Sequence, residues 1–189
     1  MHSSEIRITN PDWVHSAVAF DRPYPDDESR VRLAIALARE NVVRDTGGPF
    51  GAAVFEAGTG RLVGVGTNGV VRLNNSSAHA EVVALMMAQA RLGSFTLRDN
   101  GRTRHELFSS CEPCAMCLGA TLWSGVSRLV FSATREDATR LDFDEGPVFP
   151  ESYEYLADRG IAIERGQLRD EANAVFDLYR QRGGPIYNR

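Results

Sequence analysis

The chain has 189 residues, 43% of them hydrophobic and 24% charged, which gives one domain of ordinary globular composition with a filled core. All 21 cations are arginine, against 25 acids, for a net charge of −4; without lysine there is no Schiff-base chemistry and no phosphate loop ending in Gly-Lys. The acidic balance also argues against a large nucleic-acid footprint, because phosphate neutralisation supplies most nonspecific affinity. Residues 1–27 hold no sustained apolar run, so no secretion signal is read there. They are read as an N-terminal extension to a single domain over 28–189. The longest apolar stretch, Val82 to Ala88, is far below the roughly 18 residues of a membrane span. The expected location is the cytoplasm, with no membrane partner.

From Glu28 to Arg44 the apolar positions Val31, Ile35, Leu37, Ala38 and Val42 recur at helical spacing. The pattern stops at Asp45-Thr-Gly-Gly-Pro49, and two β-rich runs follow, Phe50 to Ala57 and Arg61 to Thr67, joined by Gly58-Thr59-Gly60 as a hairpin. A second helix is expected from Ser77 to Leu92, capped by Ser76 or Ser77 and stopped by Gly93. Glu106 to Ser110 reads as a strand, Cys114 to Trp123 as a short helix and Arg128 to Ala133 as a buried strand. After a loop at Leu141 to Pro150 come a helix at Glu151 to Arg159, a strand at Ile161 to Glu164 and a helix at Asp170 to Arg182. The alternation of strand and helix indicates an α/β sandwich.

Three cysteines bunched at Cys111, Cys114 and Cys117 are an odd set that suits metal ligation in a reducing compartment better than a disulfide framework. Taken alone, Cys-x-x-Cys is open to a redox pair, a structural zinc half-site or two buried thiols. Upstream, His79-Ala80-Glu81 opens one helix, while Pro113 immediately precedes Cys114 at the start of another. Together they match H-x-E…P-C-x-x-C, the signature of zinc nucleobase deaminases. A catalytic zinc takes three protein ligands and leaves a fourth position open, and His79, Cys114 and Cys117 supply the three for one Zn2+ per chain. Zinc lowers the pKa of water to about 7, and Glu81 is the expected proton shuttle if the helix start lets it turn toward the same side as His79. Cys111 fits no ligand position. His2, His15 and His105 have no partners at a useful spacing.

On these residues the chain resembles the cytidine-deaminase-like superfamily, and within it the guanine deaminase branch. The likeness runs through Gly48-Pro49-Phe50-Gly51-Ala52, Thr67-Asn68, Ala78-His79-Ala80-Glu81, the run Ser110 to Ala120, and Phe143-Asp144-Glu145-Gly146-Pro147. The resemblance implies a three-layer α/β/α sandwich around a central five-stranded mixed sheet. It also implies hydrolytic conversion of guanine to xanthine and ammonia, with Asn68 binding the purine, Phe50 beside the ring and Glu145 assisting proton transfer. It further implies a homodimer in which the C-terminal segment reaches a partner's site, giving Tyr187 and Asn188 a role. From pattern alone, Phe50 reads as a core strand residue and Asn68 as a turn former. Trp123 fits a pocket wall or a packed indole equally well. Two departures stand out: Ala115 where many guanine deaminases have proline, and Glu145 where many have aspartate. Guanosine, cytosine or an aminated triazine are the neighbouring substrates. A tRNA adenosine deaminase is disfavoured by 11 arginines against 14 acids from Gly101 onward. A structural zinc module would need a fourth ligand, and none stands at a suitable spacing.

Overall fold

The computed structural model describes residues 5–98 and 102–187. Its elements are α1 (Trp13–Ala17), α2 (Asp27–Val43), β1 (Gly51–Glu56), β2 (Leu62–Thr67), α3 (Val70–Leu73), α4 (Ala80–Leu92), β3 (His105–Cys111), α5 (Ala115–Ser124), β4 (Arg128–Ala133), α6 (Arg135–Thr139), α7 (Pro150–Asp158), β5 (Ala162–Arg165) and α8 (Arg169–Gln181). The strands form one five-stranded sheet in the order β2-β1-β3-β4-β5. The first two pairings are antiparallel and the last two parallel, so the sheet is mixed, as expected.

Strand side chains alternate between two cores. Ala53, Phe55, Phe108 and Val130 join the cluster under α2 and α8, while Ala52, Val54, Leu107, Leu129 and Phe131 join the cluster that includes α4 and α5 residues. This period of two gives the sandwich its three layers. Gly66 sets how closely α4 lies on the sheet: a Cβ there would stand 2.0 Å from Ala80 O and 2.4 Å from Ala84 N.

One expectation needs correction. The second long helix begins at Ala80, with His79 as N-cap, not at Ser77. Asn75 Oδ1 accepts the Ser77 N–H at 2.9 Å and Asn75 O accepts the Ala78 N–H, so these residues close a turn instead of opening the helix. The residues before 28 also touch the sheet. Asn10 donates to Val65 O at 2.9 Å and accepts from Thr67 N at 3.1 Å, covering the exposed edge of β2 with side-chain hydrogen bonds. Among the described residues no helix is long and apolar enough to cross a membrane.

Candidate active site

Because β2 and β3 run parallel across an antiparallel β1, the end of β2, the end of β3 and the start of β1 share one edge of the sheet. That edge carries Asn68 after β2, Phe50 before β1 and the turn Glu112-Pro113-Cys114 after β3. Open α/β sheets bind ligands at such carboxyl ends. His79 and Cys114 are the N-caps of α4 and α5, so both stand at helix starts whose dipoles favour anionic partners.

His79 Nδ1 lies 3.5 Å from Cys114 Sγ and 3.6 Å from Cys117 Sγ, and all three donor atoms fall within 4.8 Å of one another. A tetrahedral centre with Zn–S of about 2.3 Å and Zn–N of about 2.05 Å separates S from N by about 3.6 Å. The soft donor set and its spacing therefore fit one zinc ion. Cys114 is pushed down to about 4 by its bond with Cys117, against burial and with help from His79. Cys117 moves up through the same partner and burial. Burial pulls His79 down, but its Cys114 partner and the surrounding negative charge outweigh this and raise it. Cys111 stands apart at the end of β3, its Sγ 3.7 Å from Thr134 O.

Glu81 turns to the same side as His79, because His79 is extended (φ −72°, ψ 153°) and the helical winding starts only after it. Its Oε2 lies 3.4 Å from Cys117 Sγ, and Oε1 accepts the Ser109 hydroxyl at 3.2 Å. Burial, then the negative charge of Cys114, raise its pKa. Glu145 is pushed up to about 8 by burial, then by Cys114 and Glu81. Its carbonyl accepts the Ala115 N–H at 3.0 Å, which ties its loop to the start of α5.

Phe50, Asn68, His79, Glu81, Glu112, Cys114, Phe143, Glu145 and Tyr187 enclose one small pocket of about 10 Å³, room for about one water. Asn68 is buried and its Oδ1 accepts from Val70 N at 3.3 Å, which leaves its amide N–H2 for a ligand. The Phe50 and Phe143 rings meet edge to face at 5.1 Å, and the Tyr187 ring lies 5.1 Å from Phe143. The tail thus lies over the site of its own chain, held by Tyr179 OH donating to Pro185 O at 2.6 Å. The Tyr187 hydroxyl is buried with no hydrogen-bond partner among the described residues. Asn188 lies outside those residues.

Trp123 does not reach this pocket. It is 79% exposed at the end of α5, six residues past Cys117, and at about 100° per residue that turns it well away from the ligand face. Sequence reasoning also missed three supports. Buried Asn41 donates at 2.9 Å to both Gly48 O and Asn68 O, stapling the strand ends that carry Phe50 and Asn68. Ser109 holds Glu81, and Glu112 joins the wall. Asn41 did leave a signal, since an amide on the apolar face of an amphipathic helix must find buried partners.

The family model of the cytidine and deoxycytidylate deaminase zinc-binding region matches residues 25–133. The guanine deaminase of Bacillus subtilis is 37% identical over 153 residues, covering 81% of this chain and 93% of its own. A tRNA-specific adenosine deaminase of Buchnera aphidicola is 35% identical over 132 residues, 69% of this chain and 79% of its own. The structure of guanine deaminase from Nitrosomonas europaea superposes with a TM-score of 0.90 at 40% identity, covering 96% of this chain and 99% of that one. The chain belongs to the zinc-binding cytidine and deoxycytidylate deaminase family.

Proposed function

We propose that this protein is a zinc-dependent hydrolytic deaminase of guanine, converting guanine and water to xanthine and ammonia. The observation that carries the reading is one buried pocket that joins a three-donor soft-ligand centre to two raised-pKa carboxylates. Zinc bound by His79, Cys114 and Cys117 would supply a Lewis acid that makes water a nucleophile near neutral pH.

Glu81 takes the proton that the attacking water gives up and delivers it to a ring nitrogen. The amine departs only after protonation, because an amide anion is too basic to leave. Glu145, a second carboxylate lining the same pocket and raised first by burial, suits that second transfer. Phe50 and Phe143, which line the pocket together, give the ring an apolar wall, and the Asn68 amide orients it. Tyr187 covers the base from the tail side of the pocket.

The working unit is a homodimer. Its support is the outer face of α5, where Met116, Gly119, Ala120 and Trp123 stand at i, i+3, i+4 and i+7 with no charge among them. Such a stripe on a soluble helix suits isologous packing across a two-fold axis, and light scattering reads the mass directly. The substrate is tested by ammonia release from guanine, guanosine, adenine, cytosine, adenosine and cytidine. Guanine should give the highest kcat/KM, whereas preference for adenosine in a tRNA arm, or for cytosine, would overturn the reading.

A further inference from the structure

The mechanism uses Glu81 and Glu145 but leaves the third carboxylate of the pocket, Glu112, without a task. It stands two residues before Cys114, and both of its oxygens are already engaged. Oε1 accepts the hydroxyl of Tyr153, and Oε2 accepts the backbone N–H of Arg135 at 2.9 Å. Its own N–H donates to Ala133 O at 2.8 Å. A residue whose carboxylate is bonded to two separate stretches of chain, at Arg135 and at Tyr153, and whose backbone is tied to the first of them, acts as a clamp and not as a proton carrier.

The partners are placed so that the clamp has a purpose. Arg135 opens α6 and Tyr153 lies in α7, and the segment between those helices carries Phe143 and Glu145. Glu112 therefore ties both ends of the Glu145 segment to the turn that delivers Cys114. Arg135 reinforces the tie by donating from Nη1 to Val148 O at 2.5 Å. Tyr153 is itself fixed: it is 8% exposed, with the Arg165 guanidinium 4.2 Å from its ring centroid and the Phe131 ring at 6.4 Å. A phenol so buried, with its hydroxyl spent on one carboxylate, sets where that carboxylate sits.

We infer that Tyr153 is a positioning residue which, through Glu112, holds the Cys114 ligand turn and the Glu145 segment in register. Groups that hydrogen-bond a metal ligand directly typically change metal affinity or activity by about 10- to 100-fold when removed; Tyr153 acts further out, through Glu112, so the lower end of that range is expected.

Tyr153→Phe deletes only the hydroxyl and keeps the ring between Phe131 and Arg165. With zinc-loaded protein, transfer of zinc to a chromogenic chelator should be about tenfold faster than in wild type, with full initial zinc content. For guanine, kcat should fall by about tenfold with KM little changed. Because Tyr153 acts through Glu112, adding Tyr153→Phe to Glu112→Ala should change neither quantity further. Glu112→Gln can still accept from Arg135 and donate to the Tyr153 oxygen, so it should release zinc nearly as wild type does. The proposal is overturned by normal zinc release in Tyr153→Phe, by losses that multiply in the double variant, or by a lowered melting temperature with unchanged release and kcat. The kcat arm rests on the deaminase reading, but the chelator arm does not. If wild type releases no ammonia from guanine, the functional reading fails while zinc transfer still decides the role of Tyr153.

Discussion

The two carboxylates, Glu81 and Glu145, differ in what surrounds them, and that difference separates their expected effects. Glu81 sits against Cys117 and Ser109 and has one hydroxyl donor and one thiol for company, so its amide would keep the metal and the packing while losing the proton. Glu81→Gln should retain zinc and lower kcat by about 10²- to 10⁴-fold; a variant with a tenth of normal turnover would show that the proton takes another route. Glu145 lines the same pocket, and its raised value comes first from burial. Glu145→Gln should depress kcat well beyond any change in KM, since the lost interaction acts in the transition state. Normal turnover with weaker binding would make it a substrate contact only. At this scale the ligand residues were legible because zinc dictates residue type and spacing. Trp123 was misplaced because a helical phase error of one face is invisible when the helix is apolar on every side, as Ala115–Ser124 is.

Elements with a strong hydrophobic period were legible in the sequence almost to the residue, such as β4 at Arg128–Ala133 and α8 at Arg169–Gln181. The short helices α1, α3 and α6, each of four or five residues, carry too little period to be seen and are fixed by tertiary contacts instead. The start of α4 was obscured because Asn75 accepts the Ser77 and Ala78 N–H groups and closes a turn where the helix was expected to open. That small shift matters, since it puts His79 in the extended conformation that lets its ring and Glu81 share one side. Nothing in the strand pattern distinguishes Gly66, yet it is where α4 docks. Gly66→Ala would force Ala80 and Ala84 off the sheet, an overpacking cost of about 1–3 kcal/mol. Chemical denaturation should show that loss together with weaker zinc retention, because Ala80 adjoins His79. Loss of stability with unaltered metal affinity would mean that α4 adjusts without carrying its ligand along.

For the molecule as a whole, the sheet has a reactive edge and a fastened edge. At the reactive edge Ile186 and Tyr187 of the tail pack on the core cluster, and past α8 few backbone hydrogen bonds hold the chain. Deleting Pro185 to Arg189 should lower kcat/KM for guanine while leaving the melting temperature within a few degrees of wild type. Unchanged kinetics would reduce the tail to a frayed terminus.

The other edge, where β3 and β4 begin, is held by charge. Arg128 pairs with Asp27 and with Glu164 at 2.6 Å, and Arg30 pairs with Glu106 at 2.9 Å, linking α2 to three strands. Arg30 also lies 5.7 and 5.6 Å from the Phe55 and Phe108 ring centroids, which keeps its stem dry and its head in place. Asp27 is held below its ordinary 3.8 by the Arg128 hydrogen bond, against burial, with the Arg128 and Arg30 charges adding to it. The unfolded chain therefore binds this proton at a higher pH than the folded one. Stability from the pair is fully present above 3.8 and is lost as pH falls through the folded value. Asp27→Asn removes that contribution at every pH, so the variant should melt below wild type near neutrality. As acid is added the two melting temperatures should converge, because protonation does to wild-type Asp27 what the substitution has already done. Thermal melts across that range check this: a gap that stays constant well below 3.8 would mean that Asp27 stabilises α2 by packing and capping, and that charge does not fasten this edge.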